Sequence, residues 1–484
     1  MRNRNTGSFF ARRLKFLYFY RRDGKLGAAT RAQQKGKEYT PKSNYFSNLK
    51  LDSDIYRFLL RNEFKRTLTR FTASEPLAEN ESELTTFYIN AKPEDLDLLN
   101  SNLPESGKAN EVDALLRTSE TGDIRKIKLR YRGDMNYHWL YKKKSLRIKF
   151  EDGLYGMNQK INLINPPFLH SFGDVANYQI SKELGLLSPG FHPVRVFLNH
   201  EFMGVYIYLD QIDESFLREN KRMPGSIYFG DGAPLNDEQV KDLWGSETYW
   251  DKKAARNAEQ KLNREDIQAF VRAVQLDNAA FYDFFETMMD KEAFLTFMAL
   301  DRLTGTYHHD YNHNHKIYFD PYKGQFEPIQ WDLNNWNNIP KKDLSLNPLL
   351  LKVKENPLYD AAIDKIIFEF YKNKGLERLI SIYKKSTSQS LEDIRANKNR
   401  DAASPQHQGG LRGWYSVPFT IKEFEQGLEK DIQILQSRKS YILDLLNKSK
   451  IEFKTQEIQN KSLVTFKVQG NSPISLSFPN GLTA

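Results

Sequence analysis

Hydrophobic and polar positions alternate with two different periods along this chain, and the period changes with position. Residues 51–72 (LDSDIYRFLLRNEFKRTLTRFT) put Leu59, Leu60, Phe64 and Leu68 on one side of a helix. ESELTTFYINAKPEDLDLLNSNL reads as a strand followed by a short helix entered through Pro93. In DIRKIKLRYRGD, Ile127, Leu129 and Tyr131 alternate with charges, and KKKSLRIKFEDG alternates in the same way. The two are expected to pair as strands across the loop GDMNYHWLYK. Alternation in the second strand groups Lys144 with Leu146, Ile148 and Phe150, and turns Lys143, Arg147 and Lys149 the other way. Lys144 is therefore the predicted inward lysine.

Farther along, SFGDVANYQISKELGLLSPG reads as a helix with Asp174 near its start and Gly185 near its end. HPVRVFLNHEFMGVYIYLDQID gives two strands joined at NHE, then a helix DESFLREN. The polar, interrupted stretch 232–265 reads as an exposed insertion. DKEAFLTFMALDRLTG is a helix capped by Asp290, with Phe294, Phe297, Met298 and Leu300 facing a core. NHKIYFD and QFEPIQWDL form a predicted hairpin around PYKG. Helical spacing then dominates from NPLYDAAIDKIIFEFYKNKG to TIKEFEQGLEKDIQILQSRKSYILDLLNK. The last 35 residues return to strand chemistry, as the start of a small β module that reads as cut short. Strands early and helices late predict an α+β fold with segregated layers.

Composition narrows the chemistry. The 484 residues hold no cysteine, which excludes a disulfide framework, a zinc–thiolate site and a thiol nucleophile. The net charge of +9 comes from 71 basic against 62 acidic residues. That mild excess suits acidic or phosphorylated partners, and no nucleic-acid partner is expected. No apolar run is long enough for a membrane span, and Arg12, Arg13 and Lys15 break up the apolar pieces of the first 25 residues. This basic, aromatic leader reads as a tail, with peripheral membrane contact as the sharper alternative. A cytoplasmic location is the expectation.

Walker A, GxGxxG, GxSxG and HExxH patterns are all absent from the sequence. What remains is GTYHHDYNHNHKIYFD at 305–320, the WDLNN turn and the lysine strand. Asp310 and Asn314 lie four apart on the way into one strand of the hairpin, and Asp332 ends the other. A tight hairpin can bring its outer ends together, and two carboxylates with an amide oxygen are hard ligands suited to Mg²⁺ or Mn²⁺. Such a set serves phosphoryl transfer, in which one Asp takes the proton of the attacking hydroxyl while an Asn and a second Asp hold the metal. Turn and helix capping by the same three residues is the competing reading. His308, His309, His313 and His315 offer a transition-metal alternative, but alternate strand positions point apart, so they are expected to orient the aspartate or contact phosphate. RYRGDMNYHWLYKKKSLRIKF offers Arg132, Gly133, Lys143, Lys144, Arg147 and Lys149 to cover and neutralise a triphosphate, with a solvated basic face as the alternative.

Several blocks in order resemble the CotH kinase family of spore-coat-type atypical protein kinases. They are LRYRGDMNYHW...KKSLRIKF, ISKELGLLSPGFHPVRVFLNHEFMGVYIYLDQIDESFL, HHDYNHNHKIYFD and FEPIQWDLN, with NPLLLKVKENPLYD downstream. The resemblance spans roughly 85–445. It implies an atypical protein-kinase-like fold with an N-terminal β-rich part and a C-terminal helical part. It also implies ATP with Mg²⁺ or Mn²⁺, and transfer to protein serine or threonine hydroxyls. On this similarity Asp310 matches the catalytic aspartate, with His308 and His313 flanking it. Asn314 and Asp332 match the metal residues, and Lys144 or a neighbour the phosphate lysine. Asp210 stands where the family carries a glutamate after GVY, and Asn334 where it carries a second aspartate; these departures keep a pseudokinase or coat scaffold as the alternative, beside a small-molecule or sugar kinase. The expected division is a basic leader and helical extension over 1–80, a kinase domain over 81–445 and a β-rich segment over 446–484.

Overall fold

The strand alternation of the N-terminal half closes on itself. In a computed structural model, which describes residues 53–133, 136–139, 142–166, 171–231, 242–306, 308–333, 347–406, 413–448, 450–458 and 461–469, seven strands form a barrel in the order β1-β2-β3-β4-β5-β7-β6. They are β1 (Thr86–Ala91), β2 (Val112–Thr118), β3 (Ile124–Tyr131), β4 (Leu146–Phe150), β5 (Lys160–Ile164), β6 (Phe191–Leu198) and β7 (Glu201–Asp210). A parallel β1–β6 pairing makes the closure. The predicted β3–β4 pair forms with Ile127 opposite Phe150 and Leu129 opposite Ile148. Those side chains fill the barrel with Phe87, Leu116, Ile161, Leu163 and Val196. The β6–β7 turn works because Asn199 and His200 both adopt positive φ, the twist that suits a two-residue hairpin.

A second sheet, in the order β11-β10-β8-β9, comprises β8 (Ser226–Gly230), β9 (Trp250–Ala254), β10 (His315–Asp320) and β11 (Gln325–Pro328). The hairpin expected around PYKG is β10–β11, turned at Gly324 with φ 67°. Helices Glu265–Gln275, Asn278–Met288, Lys291–Thr304, Pro357–Lys372, Gly375–Ala396 and Ile421–Leu446 share the largest core with this sheet. Hairpins β12–β13 (Asp401–Gln406, Gly413–Pro418) and β14–β15 (Lys450–Ile458, Lys461–Gln469) complete the described chain, an α+β fold. One buried ion pair ties barrel to helices: Arg195 Nε on β6 lies 2.9 Å from Asp393 Oδ1, both fully buried, and Ser82 donates to the second carboxylate oxygen at 2.7 Å.

Two sequence expectations need correction. The stretch 242–265 is no exposed insertion. Leu243, Trp244 and Trp250 are buried there, and β9 joins the second sheet, because a few large aromatics outweigh the polar residues between them. Helix Ser53–Phe71 forms as the spacing requires, but it docks by its polar face. Asn62, Arg66 and Thr69 are buried, while Leu60, Phe64 and Leu68 are exposed. Ionic contacts hold it in that orientation, with Arg66 on Asp401 at 3.1 Å and Lys65 on Glu423 at 2.6 Å. The leader before residue 53, Asn334 and residues 470–484 lie outside the described residues.

Candidate active site

Helix Lys291–Thr304 ends on Gly305, whose left-handed φ of 68° turns the chain sharply into the histidine-rich loop. That loop runs to β10, and β11 returns beside it. Ile329 N–H donates to Lys316 O at 2.9 Å and Gln330 N–H to Leu187 O at 2.7 Å, which pins the returning strand before it reaches Asp332. The outer ends of the hairpin therefore meet, as the spacing of Asp310, Asn314 and Asp332 requires.

His308 stands between the two expected metal residues. Its Nδ1 is 3.1 Å from Asp332 Oδ2 and 3.5 Å from Asn314 Nδ2. Asn314 (φ 66°) and Asp332 (φ 46°) both occupy the left-handed region. Non-glycine residues pay for that conformation, and such strain collects at functional sites. Tyr178, on helix Ser171–Glu183, accepts the Asp332 backbone N–H at 2.9 Å and helps hold it there. Burial works against charge on the Asp332 carboxylate, yet His308, His309 and Lys316 prevail and keep its pKa below the usual range.

Asp310 is anchored through one oxygen. Asn312 N–H (2.8 Å), His313 N–H (3.1 Å) and the His313 ring (Nδ1, 2.7 Å) all reach Oδ1. Among the described residues no hydrogen bond reaches Oδ2. Burial raises the pKa of Asp310, but those three bonds outweigh it and the net direction is down. The same bond raises the pKa of the His313 ring, against the pull of burial. Beneath the loop, His309 joins its two halves. Its Nδ1 faces the Asp301 carboxylate at 2.9 and 3.0 Å, and its Nε2 faces the Trp331 carbonyl. Nε2–H serves the Trp331 carbonyl, and a second proton lies between Nδ1 and the Asp301 carboxylate, whose own pKa burial raises. Burial alone lowers the pKa of His309; the charge and hydrogen bond of Asp301 more than reverse this. His315 is a neutral core histidine, its pKa pushed down to about 3 by burial, with its ring on Asp310 O at 2.6 Å.

The expected phosphate cations divide. Lys144 is not the inward lysine. Both lysines precede β4, where strand alternation does not apply, and it is Lys143 that is buried. Lys143 donates to Val205 O and its ammonium lies 4.7 Å from the Tyr206 ring centroid. Burial pushes its pKa down to about 7. It faces Phe172, Asn397 and Arg400 at the junction of barrel and helices. Lys144 is half-buried, 5.4 Å from the Tyr131 ring, its pKa pushed down to about 8 by burial and the neighbouring Lys142. Lys149 pairs in register with Lys128 and Lys160 on the barrel's outer face. Asp210 is spent inside the barrel wall, accepting from Gly190 N–H, Tyr208 Oη (2.7 Å) and Asn158 Nδ2 (3.1 Å). Arg132 and Gly133 do reach the site. Gly133 (φ 98°) lies against the His138 ring, where a Cβ would come within 2.3 Å. That turn leaves Arg132 in electrostatic reach of Tyr178 and Lys316, and Tyr137 in reach of Asp332.

Three groups were missed by the sequence reading. Lys316 on β10 is buried, 3.9 Å from the Phe229 ring, 4.4 Å from the Trp331 ring and 3.8 Å from Asp231 Oδ2. Burial lowers its pKa, against the pull of Asp231 and Asp332. Asp231, just after β8, accepts the Asn314 backbone N–H at 3.0 Å. Asp174, read only as a helix-start signal, is raised well above the carboxylate range by burial and then by the charge of Asp332. A lysine just before the apolar and aromatic run Ile317–Tyr318–Phe319 was the available signal for Lys316.

Among the described residues no three His, Cys, Asp or Glu side chains form a ready metal cage. Mg²⁺ seldom uses one; it takes one or two carboxylates and completes its shell with water and substrate phosphate. An ionised Asp332 beside an Asn314 amide fits that role. A family model described as CotH kinase protein matches residues 129–442. The chain is also similar to the inner spore coat protein H of Bacillus subtilis (strain 168), 24% identical over 264 residues, covering 52% of this chain and 69% of that one.

Proposed function

Because the chain belongs to the CotH kinase protein family, we propose that it is an ATP-dependent phosphotransferase acting on protein serine or threonine hydroxyls. In this reading the barrel and the hairpin sheet serve as the two faces of an atypical kinase-like cleft. The observation that carries the proposal is the convergence on His308 of Asp332 and Asn314, both in left-handed conformation, beside an Asp310 anchored through a single oxygen.

Asn314 and Asp332 would hold Mg²⁺ or Mn²⁺, which when bound neutralises the phosphate oxygens and aligns them for in-line attack. Lys316 and Arg132 add fixed positive charge on the same side, worth most where water is excluded. Asp310 Oδ2 accepts the acceptor hydroxyl's hydrogen bond. Its depressed pKa makes it a weak base, so its main work is to orient the hydroxyl and take the proton late. His313, on Oδ1, fixes the carboxylate plane. His308 orients Asp332, and the Asp301–His309 pair ties the backbone before Asp332 to the loop before Asp310.

The test is incubation of the full chain with γ-labelled ATP, Mg²⁺ and serine-rich acceptor proteins. Label should enter the acceptor, and Asp310→Asn should cut the rate about 10²–10⁴-fold. Equal labelling by wild type and Asp310→Asn refutes the assignment.

A further inference from the structure

We propose that helix Ser53–Phe71 is a membrane-surface element that seats this protein on anionic lipid. Leu60, Phe64, Leu68 and Phe71 follow one another at spacings of four, four and three, which makes a single narrow stripe. Their exposures are 58%, 73%, 46% and 89%. An amphipathic helix of a soluble domain turns such a stripe inward. This one does the reverse, and specific contacts hold it so. Arg66 binds Asp401, Lys65 binds Glu423, and Arg400 donates to the Thr69 carbonyl at 3.4 Å. The apolar face is thus presented outward by a buried polar face. Exposed Arg61 and Arg70 lie on either flank of the stripe.

Charge identifies the occupant. Residues 1–52, which lead directly into the helix, carry 13 of the 71 basic residues and 3 of the 62 acidic ones. The remaining chain, at 58 against 59, is electrically neutral, so all the excess charge is placed at this end. The same segment carries Phe9, Phe10, Phe16, Tyr18, Phe19 and Tyr20 among Arg12, Arg13 and Lys15. Cations clustered in the sequence that leads into an exposed stripe of Leu60, Phe64, Leu68 and Phe71 match an anionic bilayer surface, where lipid headgroups take the charge and the acyl boundary takes the stripe.

The chain's lack of cysteine allows a direct test. Phe64→Cys and Tyr322→Cys, both at exposed positions, would each carry one environment-sensitive fluorophore on the full chain. With vesicles of phosphatidylcholine containing roughly a third phosphatidylserine, the Phe64 label should shift to the blue and resist an aqueous quencher. The Tyr322 label should not, and phosphatidylcholine alone should change neither. Co-sedimentation with the same vesicles should fall at least ~10-fold in the quadruple variant L60Q/F64Q/L68Q/F71Q, with its thermal unfolding unchanged. A Phe64 label already protected without vesicles, through the leader or a second copy, overturns the proposal. So does an unshifted Phe64 label, or full sedimentation of a folded quadruple variant.

Discussion

Lys143 and Lys316 are both buried lysines, and they lie in regions that use a charge differently. Lys143 sits where the barrel meets the helices. Its ammonium is satisfied by the Val205 carbonyl and the Tyr206 ring, and its pKa falls to about 7. Lys316 sits in the hairpin sheet between two aromatic rings, with Asp231 and Asp332 opposing the effect of its burial. The barrel has buried a lysine that can go neutral. The hairpin has placed one among carboxylates that favour its charge. Basic residues crowd the strand region of the barrel, but on the proposed reading a polyphosphate is met by Lys316 on β10, with Arg132 in electrostatic reach of it.

The hairpin side depends most on the Asp301–His309 pair. His309→Leu leaves Asp301 buried without its partner and should cost about 3–5 kcal/mol of unfolding free energy. Because the folded-state pKa of His309 is raised, its contribution is complete below its ordinary value near 6.5 and is lost as pH rises through the folded-state value. Denaturant melts from pH 6 to 9 should show wild type losing this increment while His309→Leu does not. Identical pH slopes would break the assignment of a raised pKa to His309.

The two lysines separate next. Lys316→Met should weaken Mg²⁺–ATP binding roughly 10- to 100-fold, the value of a charge-assisted contact of about 1.5–3 kcal/mol. Lys143→Met should leave that affinity unchanged, and titration calorimetry compares them directly. In stability the order reverses. Lys143 has a depressed pKa, so between about 7 and 10.5 the unfolded chain holds a proton that the folded chain lacks. Wild-type stability should therefore rise with pH relative to Lys143→Met across that window, and Lys143→Met should be at least as stable at pH 7. The smallest effect belongs to Lys149→Met on the outer barrel face, within ~0.5 kcal/mol of wild type and with unchanged affinity.

Much of the site was legible because a hairpin is a local object. Once KIYFD and QFEPIQ pair around Gly324, Asp332 must return to the neighbourhood of Asp310 and Asn314. The lysines were illegible because Lys143 and Lys144 stand before β4, where alternation fails, and only the packing against Val205 and Tyr206 fixes which one turns inward. Asp174 and Asp231 come from distant segments, and a single strand pattern cannot announce them. Asp210 reads as a site residue from its place after GVY, yet Gly190, Tyr208 and Asn158 consume its oxygens. The inverted helix Ser53–Phe71 fails for another reason. Spacing tells which residues share a face, and the carboxylates of Asp401 and Glu423, more than 300 residues away, decide which face is buried.

Asp310 and Asp332 bear the central claim, since one is assigned to the hydroxyl and the other to the metal. The most direct measurement is Mg²⁺-dependent ATP binding and γ-phosphate transfer, made side by side on wild type, Asp310→Asn and Asp332→Ala. The account predicts that Asp310→Asn binds Mg²⁺–ATP as wild type does but transfers about 10²–10⁴-fold more slowly, while Asp332→Ala, still folded, loses metal-dependent binding itself. Undiminished Mg²⁺-dependent binding and transfer by a folded Asp332→Ala would contradict it.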